Sequence, residues 1–442
     1  MAPSRLTRRR VLRAAAAGGA ALVAARLLPA AELAELAAAR LRGVPRAGVL
    51  ARALAAASPA AARAAPRYDG LLRQAPVARW WASTARRQTP CSACHRADEL
   101  ARLGAAAAAG PDARHDHGAT RVQCLLCARE CRLREGERGE CGARVVQNGD
   151  LRSLVYGHPA AVHVDPIEKK PFYHFLPGSR AYSLGTAGCP LHCEFCQNWQ
   201  LSQSMPEEHR GPFTPAADVA REAQAHQAPV IAFTYNEPTV FAEYLCDIAR
   251  AARPLGVRCV AVSCGFMNQA PLAEMCEVLD AIKIDLKGFS EDFYRRVAHA
   301  ELRPVLRAIE QIARHGTHLE IVNLVVPTLN DSEAMLGRLA GWLVDAVGPD
   351  VPVHFTRFHP DYRLLNLPPT PARTLELARA IARERGLRYA YVGNLPGHPG
   401  NHTSCPKCGK IVVRREGFFV EEIQVRDGKC AFCGEPIAGV WS

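Results

Sequence analysis

Residues 188–199 read Gly-Cys-Pro-Leu-His-Cys-Glu-Phe-Cys-Gln-Asn-Trp, and the interpretation of the whole chain depends on this stretch. It places Cys189, Cys193 and Cys196 within eight residues at the spacing C-x3-C-x2-C. A loop this short can hold three corners of a 4Fe–4S cluster, which leaves one iron without a protein ligand. An open coordination position is what allows a catalytic metal site to bind a substrate, whereas a structural zinc site needs a fourth ligand. The stretch therefore predicts a catalytic iron–sulfur cluster.

The cysteine spacing resembles the signature of the radical S-adenosylmethionine (SAM) superfamily. The resemblance implies that the amine and carboxylate of SAM chelate the open iron. It further implies that one electron from the reduced cluster cleaves SAM into methionine and a 5′-deoxyadenosyl radical, which abstracts hydrogen from a substrate. In such an enzyme the cofactors carry the chemistry and the protein orients them. A low-potential electron donor is then a required partner, while the substrate stays unknown.

The positive charge of the chain is concentrated in its first 80 residues. The 442 residues carry a formal net charge of +12, and residues 1–80 contribute eleven of these charges, through fourteen arginines against three acidic residues. The rest of the chain is close to neutral, so the net charge does not describe the folded body. No nucleic-acid partner is predicted.

Residues 1–30 resemble a twin-arginine export signal, because paired arginines precede a short apolar run at 14–25. That run is too short to cross a bilayer as a settled helix. Residues 31–115 read as an alanine- and arginine-rich extension. The signal favours export or membrane association, whereas the supply of SAM and electrons favours a cytoplasmic active site.

The extension contains Cys91-Ser-Ala-Cys94-His95, a C-x-x-C-H motif. This motif is typical of covalent c-type haem attachment. Five residues are a weak signal in a chain with seventeen cysteines. An accessory metal or redox pair and the absence of any function are both favoured over haem.

A four-cysteine segment lies within residues 116–180, which we expect to form a metal segment followed by a linker. Its spacing is C-x2-C-x3-C-x9-C, and four thiolates can complete a zinc or a 4Fe–4S site. Such a site has no open position, so its role is structural or electron relay. The ligands are Cys124, Cys127, Cys131 and Cys141.

Residues 399–442 contain two C-x2-C-G knuckles separated by 21 residues. Paired knuckles of this kind are typical of a zinc ribbon. Glycine after each knuckle lets the backbone turn tightly around the metal. We expect zinc here, held by Cys405, Cys408, Cys430 and Cys433.

Residues 181–398 alternate apolar runs with helical patterns, as βα units do. The α/β pattern predicts a partial parallel (β/α)6 barrel of radical SAM type. In such barrels the active residues lie at the carboxyl ends of the strands. The expected strands are 182–186, 230–235, 258–263, 281–285, 319–326 and 353–357, with a late one at 389–393, and helices are expected at 215–227, 239–253 and 331–346.

Two further stretches sharpen the resemblance: DPIEKKPFYHFLPGS at 165–179 and GTAGCPLHCEFCQNW at 185–199. Together with the four-cysteine segment and the ribbon, they resemble the radical SAM enzyme of the AmmeMemoRadiSam system, over about residues 120–442. That family is related to the pyruvate formate-lyase activating enzymes. The resemblance implies AMMECR-like and Memo-like proteins as partners.

The resemblance also suggests which residues contact SAM. Glu237, in a Tyr-Asn-Glu-Pro loop, or backbone carbonyls near it, would accept hydrogen bonds from the SAM amine. Asp285 and Lys287 match the Asp-x-Lys of the activases, where the ammonium pairs with the SAM carboxylate; a structural ion pair is the alternative. His359 resembles the activase histidine that contacts the ribose, against a structural histidine. Asn323 would face the nucleoside, and Asn394 lies in a turn near the adenine.

Two alternative functions stay open. The first is a glycyl-radical activase similar to the pyruvate formate-lyase activating enzyme, in which the hydrogen comes from a backbone glycine of a partner protein. The second is an exported multi-metal electron carrier, whose clusters only pass electrons. SAM cleavage separates the second alternative from the main hypothesis, and a glycyl radical on a partner identifies the first.

Overall fold

We describe residues 69–83 and 122–442 from a computed structural model of the protein. The expected export signal, most of the alanine- and arginine-rich extension and the Cys91–Cys94–His95 motif lie outside these residues. Within the described ranges, no helix has the length and apolar character needed to cross a membrane.

The described residues contain eighteen strands. In chain order they are β1 (Trp81–Ser83), β2 (Val122–Cys124), β3 (Arg132–Leu133), β4 (Arg144–Gln147), β5 (Asp150–Ser153), β6 (Ala161–Pro166), β7 (Arg180–Gly185), β8 (Val230–Phe233), β9 (Arg258–Ser263), β10 (Ala281–Asp285), β11 (His318–Val325), β12 (Val353–Arg357), β13 (Ala390–Gly393), β14 (Thr403–Ser404), β15 (Ile411–Glu416), β16 (Phe419–Ile423), β17 (Val425–Arg426) and β18 (Lys429–Cys430).

The same residues contain nine α-helices, four short 3-10 segments and one π-helical turn. The α-helices are α1 (Asp69–Leu72), α2 (Trp199–Ser202), α3 (Ala216–Ala225), α4 (Ala242–Ala252), α5 (Gln269–Val278), α6 (Glu291–Phe293), α7 (Leu302–His315), α8 (Glu333–Val347) and α9 (Ala372–Glu384). The 3-10 segments are Ile167–Lys169, Pro238–Phe241, Arg253–Leu255 and Pro399–Asn401, and the π turn is Tyr294–Ala298.

One eight-stranded sheet organises the molecule, in the linear order β13-β12-β11-β10-β9-β8-β7-β6. Neighbouring strands from β7 to β13 are parallel, and β6 is antiparallel to β7. The parallel part therefore has seven strands, one more than the expected (β/α)6 barrel, because the late strand joins the sheet beside β12. Strand β6 lies within the stretch expected to be a linker.

The parallel strands are buried on both faces, as parallel sheets require. All four residues of β8, Val-Ile-Ala-Phe, are buried. The longest outer helices are amphipathic: α7 buries Leu302, Val305, Ile309 and Ile312 and keeps its arginines outside. Full burial of one such aliphatic side chain contributes about 1.5–3 kcal/mol. This packing fixes the carboxyl ends of the strands, where the candidate site lies.

The amino-terminal end of the sheet is closed by residues 165–178 of the chain, which we call the floor segment. Its Phe172 and Phe175 pack against small residues on the inner faces of β7 to β10. The fully buried carboxylate of Glu320 on β11 accepts hydrogen bonds from the backbone N–H groups of Tyr173 and His174, at 2.8–3.0 Å. The floor segment thus fills the interior of the sheet at the amino-terminal ends of its strands.

The carboxyl-terminal residues pack against this floor segment. Strands β14, β15 and β16 form one small antiparallel sheet, and β17 pairs with β18 in another. Arg415 on β15 donates to the carbonyl of Tyr173 at 2.8 Å and lies 4.0 Å from the centre of its ring. His174 contacts the carbonyl of Ala438 and the hydroxyl of Tyr391. The tail and the floor segment therefore form one packed unit with the sheet.

Candidate active site

The three-cysteine loop starts directly after β7, and its entry is fixed by Asn236. The Asn236 side chain accepts from the N–H of Thr186 at 3.0 Å and donates to the carbonyl of Gly188 at 2.9 Å. Gly188 has φ +93°, and a Cβ there would lie 2.2 Å from the carbonyl oxygen of Cys141. Only glycine accommodates both conditions without a shift of the backbone.

Backbone hydrogen bonds hold the rest of the loop. The N–H of His192 donates to Ala298 at 3.3 Å, and the N–H of Glu194 donates to Val297 at 3.0 Å, both within or at the end of the π turn. The carbonyl of Glu194 in turn accepts from the N–H of Leu364 at 3.0 Å. The loop is therefore held by two separate segments, one following β10 and one following β12, which fixes the direction of its thiols.

Cys193 is buried, whereas Cys189 and Cys196 are partly buried. Cys189 Sγ accepts from the N–H of Leu191 at 3.4 Å, and Cys196 Sγ lies 3.1 Å from Ser202 Oγ. Burial raises the pKa of Cys193 to about 12 despite the nearby Lys287 ammonium. A metal must therefore displace the thiol protons when it binds. His192 bonds to Gln203 at 2.7 Å.

The loop forms one side of a cavity of about 280 Å³, and the carboxyl ends of the parallel strands form the rest. Seven of the residues predicted from the sequence line this cavity. They are Cys189, Cys193, Cys196, Glu237, Asp285, Lys287 and Asn394.

Glu237 is buried at the amino end of the 3-10 segment Pro238–Phe241, and its carboxylate is already well occupied. One oxygen accepts from Thr239 Oγ1 at 2.6 Å and Ser263 Oγ at 2.7 Å, and the other accepts from the N–H of Cys264 at 2.7 Å. A carboxylate offers about four lone-pair positions. Glu237 therefore shapes the loop and keeps acceptor capacity on its second oxygen.

Asp285 lies between two lysines at the end of β10. It pairs with Lys287 Nζ at 2.7 Å and with Lys283 Nζ. Burial opposes ionisation of Asp285, but the two ammonium groups outweigh it and hold its pKa well below the usual range. Burial likewise disfavours the Lys287 ammonium, and Asp285 together with Cys193 keeps the pKa of Lys287 above its usual value. A charged lysine therefore faces the thiols.

Two predicted residues lie away from the cavity. Asn323 donates to the carbonyl of Leu286 at 2.7 Å, while its neighbours Val322 and Leu324 line the cavity, so strand alternation turns Asn323 to the other face. The expectation that Asn323 faces the nucleoside does not fit this position. The His359 side chain is 54% exposed, with Nδ1 3.2 Å from Gln197 Nε2, which places it at the rim.

The four-cysteine segment packs directly against the three-cysteine loop. Cys127 forms a β-bridge with Met267 in the loop that follows β9, and the carbonyl of Cys141 lies against Gly188. Arg129 Nε donates to the carbonyl of Pro190 at 2.9 Å. A metal bound by this segment would therefore be a close neighbour of the candidate catalytic cluster.

The ribbon cysteines have a different geometry from the other two sets. Among the described residues, they form the only group of three or more potential ligands whose ligand atoms all lie within 4.8 Å of one another. The Sγ atoms of Cys405 and Cys433 are 3.6 Å apart, and those of Cys408 and Cys430 are 3.8 Å apart. Four sulfurs at about 2.3 Å from one zinc ion have such separations, whereas thiolates on different corners of a cluster lie farther apart.

A family model described as the radical SAM superfamily matches residues 183–339. The chain is also 40% identical, over 319 residues, to the uncharacterized protein MJ0808 of Methanocaldococcus jannaschii, with 72% of this chain and 95% of that protein covered. The chain belongs to the radical SAM superfamily. This membership supports an enzyme and implies a 4Fe–4S cluster and SAM as its cofactors.

One sequence similarity supports a relation to the activating enzymes, and two solved structures are similar at low identity. The pyruvate formate-lyase-activating enzyme of Clostridium pasteurianum is 25% identical over 165 residues, which cover 35% of this chain and 65% of that enzyme. A solved domain of the corresponding enzyme from Bacteroides vulgatus is 16% identical, with a TM-score of 0.34, and covers 37% of this chain and 98% of that domain. A radical SAM methyltransferase from Sphaerobacter thermophilus is 15% identical, with a TM-score of 0.40, 51% of this chain and 71% of that chain being covered.

Several residues of this radical SAM site were not predicted from the sequence. Lys169, Lys170, Lys283 and Cys264 line the cavity, and Asn236 fixes the cysteine loop. Asn236 stands beside Glu237 in the loop that was singled out, so its polarity was a usable signal. The lysines gave none, because a lysine in a short polar segment or in a strand usually lies on the surface.

Proposed function

We propose that the protein cleaves SAM reductively and uses the resulting 5′-deoxyadenosyl radical to abstract hydrogen from a substrate. The observation that carries this proposal is the shared cavity, which brings three cysteines together with the Lys287–Asp285 pair. Three thiol ligands leave an iron corner open, and a fixed cation beside it suits a carboxylate. The donor set therefore fits a 4Fe–4S cluster with SAM.

When bound, the cluster and SAM supply one-electron cleavage of the C5′–S bond, with the electron coming from a low-potential donor and methionine leaving. The protein's own residues hold the reactants. Lys287 would pair with the SAM carboxylate, the second oxygen of Glu237 or nearby carbonyls would accept from the amine, and Asn394 would border the adenine. The buried walls would exclude water, and a contact such as that between Ser202 and Cys196 would tune the reduction potential of the cluster.

We also propose two further metals. The sulfur separations of Cys405, Cys408, Cys430 and Cys433 support zinc in a ribbon. The set Cys124, Cys127, Cys131 and Cys141 supports a second zinc or iron–sulfur site. Its place beside the three-cysteine loop suits an electron relay.

The decisive test uses the 442-residue chain, reconstituted anaerobically with iron and sulfide. With dithionite and SAM, we expect formation of 5′-deoxyadenosine and methionine. Cys196→Ala should reduce this to background, because the cluster loses one of its three ligands. Cys246→Ala is the matched control: Cys246 is a buried lone thiol in α4, outside all cysteine sets, and its replacement should leave the activity in place.

The test also separates the rival functions. A reducible cluster that yields no 5′-deoxyadenosine would leave the electron-carrier hypothesis, and activity retained in Cys196→Ala would contradict the assignment of the loop. A glycyl-radical activase is the second candidate, supported by the similarity to the C. pasteurianum enzyme. Its test is the electron paramagnetic resonance signal of a glycyl radical on a partner protein.

A place in the AmmeMemoRadiSam family is a narrower proposal, supported by the motifs at 165–179 and 185–199. It carries the prediction that AMMECR-like and Memo-like proteins act together with this enzyme. Co-purification with such proteins from the native host, and its loss when either partner is deleted, would test the association.

A further inference from the structure

Two buried lysines lie on the wall of the cavity, in addition to Lys287. Lys170 follows the 3-10 segment of the floor segment, and Lys283 lies on β10, two residues before Asp285. Each side chain is only 4% exposed, and both line the cavity. Lysines are rarely buried to this extent, because removing an ammonium from water is costly. Two in one cavity therefore call for a functional reason.

Neither ammonium is saturated by the protein. Lys170 Nζ donates to Asp165 Oδ2 at 2.7 Å and lies 4.7 Å from the centre of the Tyr235 ring. Lys283 Nζ donates to Asp285. In the described ranges each group has this single hydrogen bond, although an ammonium has three donors. Donors for a further acceptor thus stay available beside the cavity.

The charges around the cavity leave an excess of cations. Four lysines line it, and the neighbouring carboxylates are those of Asp165, Asp285 and Glu237. The Glu237 carboxylate accepts from hydroxyl and N–H groups, and no lysine donates to it. Burial lowers the pKa of Lys170, and the ammonium groups of Lys169 and Lys283 lower it further against the effect of Asp165. An added anion would relieve this repulsion.

The two lysines lie next to the place assigned to SAM. Lys283 and Lys287 donate to the two oxygens of the Asp285 carboxylate, so their ammonium groups are neighbours, and Lys287 lies beside Cys193. Lys170 belongs to the floor segment. A molecule held by Lys170 and Lys283 would therefore lie beside SAM, as a hydrogen donor must.

We propose that Lys170 and Lys283 form an anion subsite that holds a carboxylate or phosphate group of a small-molecule substrate. The inference rests on the proposed function and adds the chemical class of the substrate. Both ammonium groups lie in the wall of the cavity, so a small molecule that enters the cavity can reach them. The resulting ion pairs would orient the substrate so that one C–H bond faces the 5′ carbon.

The test measures anion binding close to the cluster. The reduced cluster is paramagnetic, so it accelerates the nuclear relaxation of a bound anion. We would titrate inorganic phosphate (³¹P) and acetate (¹³C) into the reduced full chain with S-adenosylhomocysteine bound. Wild type should show saturable acceleration for at least one of them. Lys170→Gln and Lys283→Gln should each weaken that binding about tenfold or more, because each removes one hydrogen bond from a charged group to the anion.

The variants are chosen to keep the fold. In Lys170→Gln, Asp165 retains Lys169 at 2.8 Å, and in Lys283→Gln, Asp285 retains Lys287 at 2.7 Å. Arg258→Gln is the control, since it also removes one positive charge. Arg258 is the first residue of β9, and its side chain is 51% exposed and does not line the cavity. This variant should bind the anion as wild type does.

Each outcome bears on the subsite. No saturable effect in wild type, unchanged binding in both lysine variants, or equal loss in Arg258→Gln would overturn it. A parallel loss of affinity for S-adenosylhomocysteine would assign the lysines to the SAM carboxylate and also overturn it. The wild-type assay for 5′-deoxyadenosine is read separately, so failure of the proposed function is distinguished from failure of the subsite.

Discussion

His174 illustrates how burial sets the chemistry of a single residue in this protein. Its ring is fully buried between the floor segment and the tail, against the carbonyl of Ala438 and the hydroxyl of Tyr391. Burial lowers the pKa of His174 from 6.5 to about 3, although Glu320 favours its charged form. The imidazole is therefore neutral in the folded protein at neutral and mildly acidic pH.

The low pKa of His174 predicts a loss of stability in mild acid. Between pH 6.5 and 3 the unfolded chain binds a proton at His174 that the folded chain does not, so the free energy of unfolding falls as the pH falls. Between pH 7 and 5.5, His174 alone lowers the free energy of unfolding by roughly 1 kcal/mol. Urea denaturation of wild type and His174→Gln should show the difference between the two shrinking by that amount.

Comparing the two proteins at each pH removes the contributions of other groups, including the protonation of metal ligands. A difference that stays constant from pH 7 to 5.5 would contradict the neutral, buried His174. A difference that grows toward acid pH would indicate that the ring gains its proton in the folded state.

At the scale of elements, the three-cysteine loop depends on close approach to the four-cysteine segment. The contact at Gly188 joins them, since the Cys141 carbonyl occupies the space a side chain would need. Gly188→Ala should therefore separate the two segments and displace Cys189. We expect iron affinity to fall by about 10–100-fold, as for other changes that disturb ligand orientation, measured as iron content after reconstitution.

Gly256 provides a matched control for this substitution. It also has positive φ, +70°, but no atom lies within 4 Å of its Cβ position. Gly256→Ala should cost about 1–2 kcal/mol of stability from backbone strain alone and leave iron content unchanged. Equal iron loss in both variants would show that strain, not crowding, is responsible.

The elements themselves were largely predictable. Strands β9, β10 and β12 have the predicted bounds, because each is an apolar run that ends in polar residues. Strand β6 was missed, since its Ala-Val-His-Val-Asp-Pro sequence is half-exposed and contains no continuous apolar run. Asn323 was misjudged because sequence does not fix which face of a strand turns inward. Lys169, Lys170 and Lys283 were missed because a lysine in a short polar segment or in a strand usually lies on the surface.

At the scale of the whole molecule, the ribbon is coupled to the sheet through the floor segment. Arg415 links β14 and β15 to Tyr173, and the carbonyl of Val440 accepts from the N–H of Leu176 at 2.8 Å. Because metal binding stabilises a small cysteine-rich unit, its loss should reach the floor segment as well. The ribbon metal is thus predicted to support the sheet.

Removal of the ribbon metal tests this coupling. In Cys433→Ser we expect one equivalent of zinc to be lost, the midpoint of thermal unfolding to fall by about 5–10 °C, and proteolysis to begin within residues 165–178 and the tail. A zinc chelator should produce the same changes in wild type and none in Cys433→Ser. An unchanged midpoint after complete loss of zinc would show that the ribbon folds without supporting the sheet.

The contact between floor segment and tail also has a consequence for how the chain reaches its folded state. His174 and Ala438 are 264 residues apart, and Tyr173 and Arg415 are 242 apart. Contacts of such sequence separation form slowly, because the loop between them must close first. During synthesis the floor segment can dock onto Glu320 early, whereas the tail that packs against this segment is made last. The face of the floor segment that contacts the tail therefore stays open to water until residues 415–440 have been synthesised.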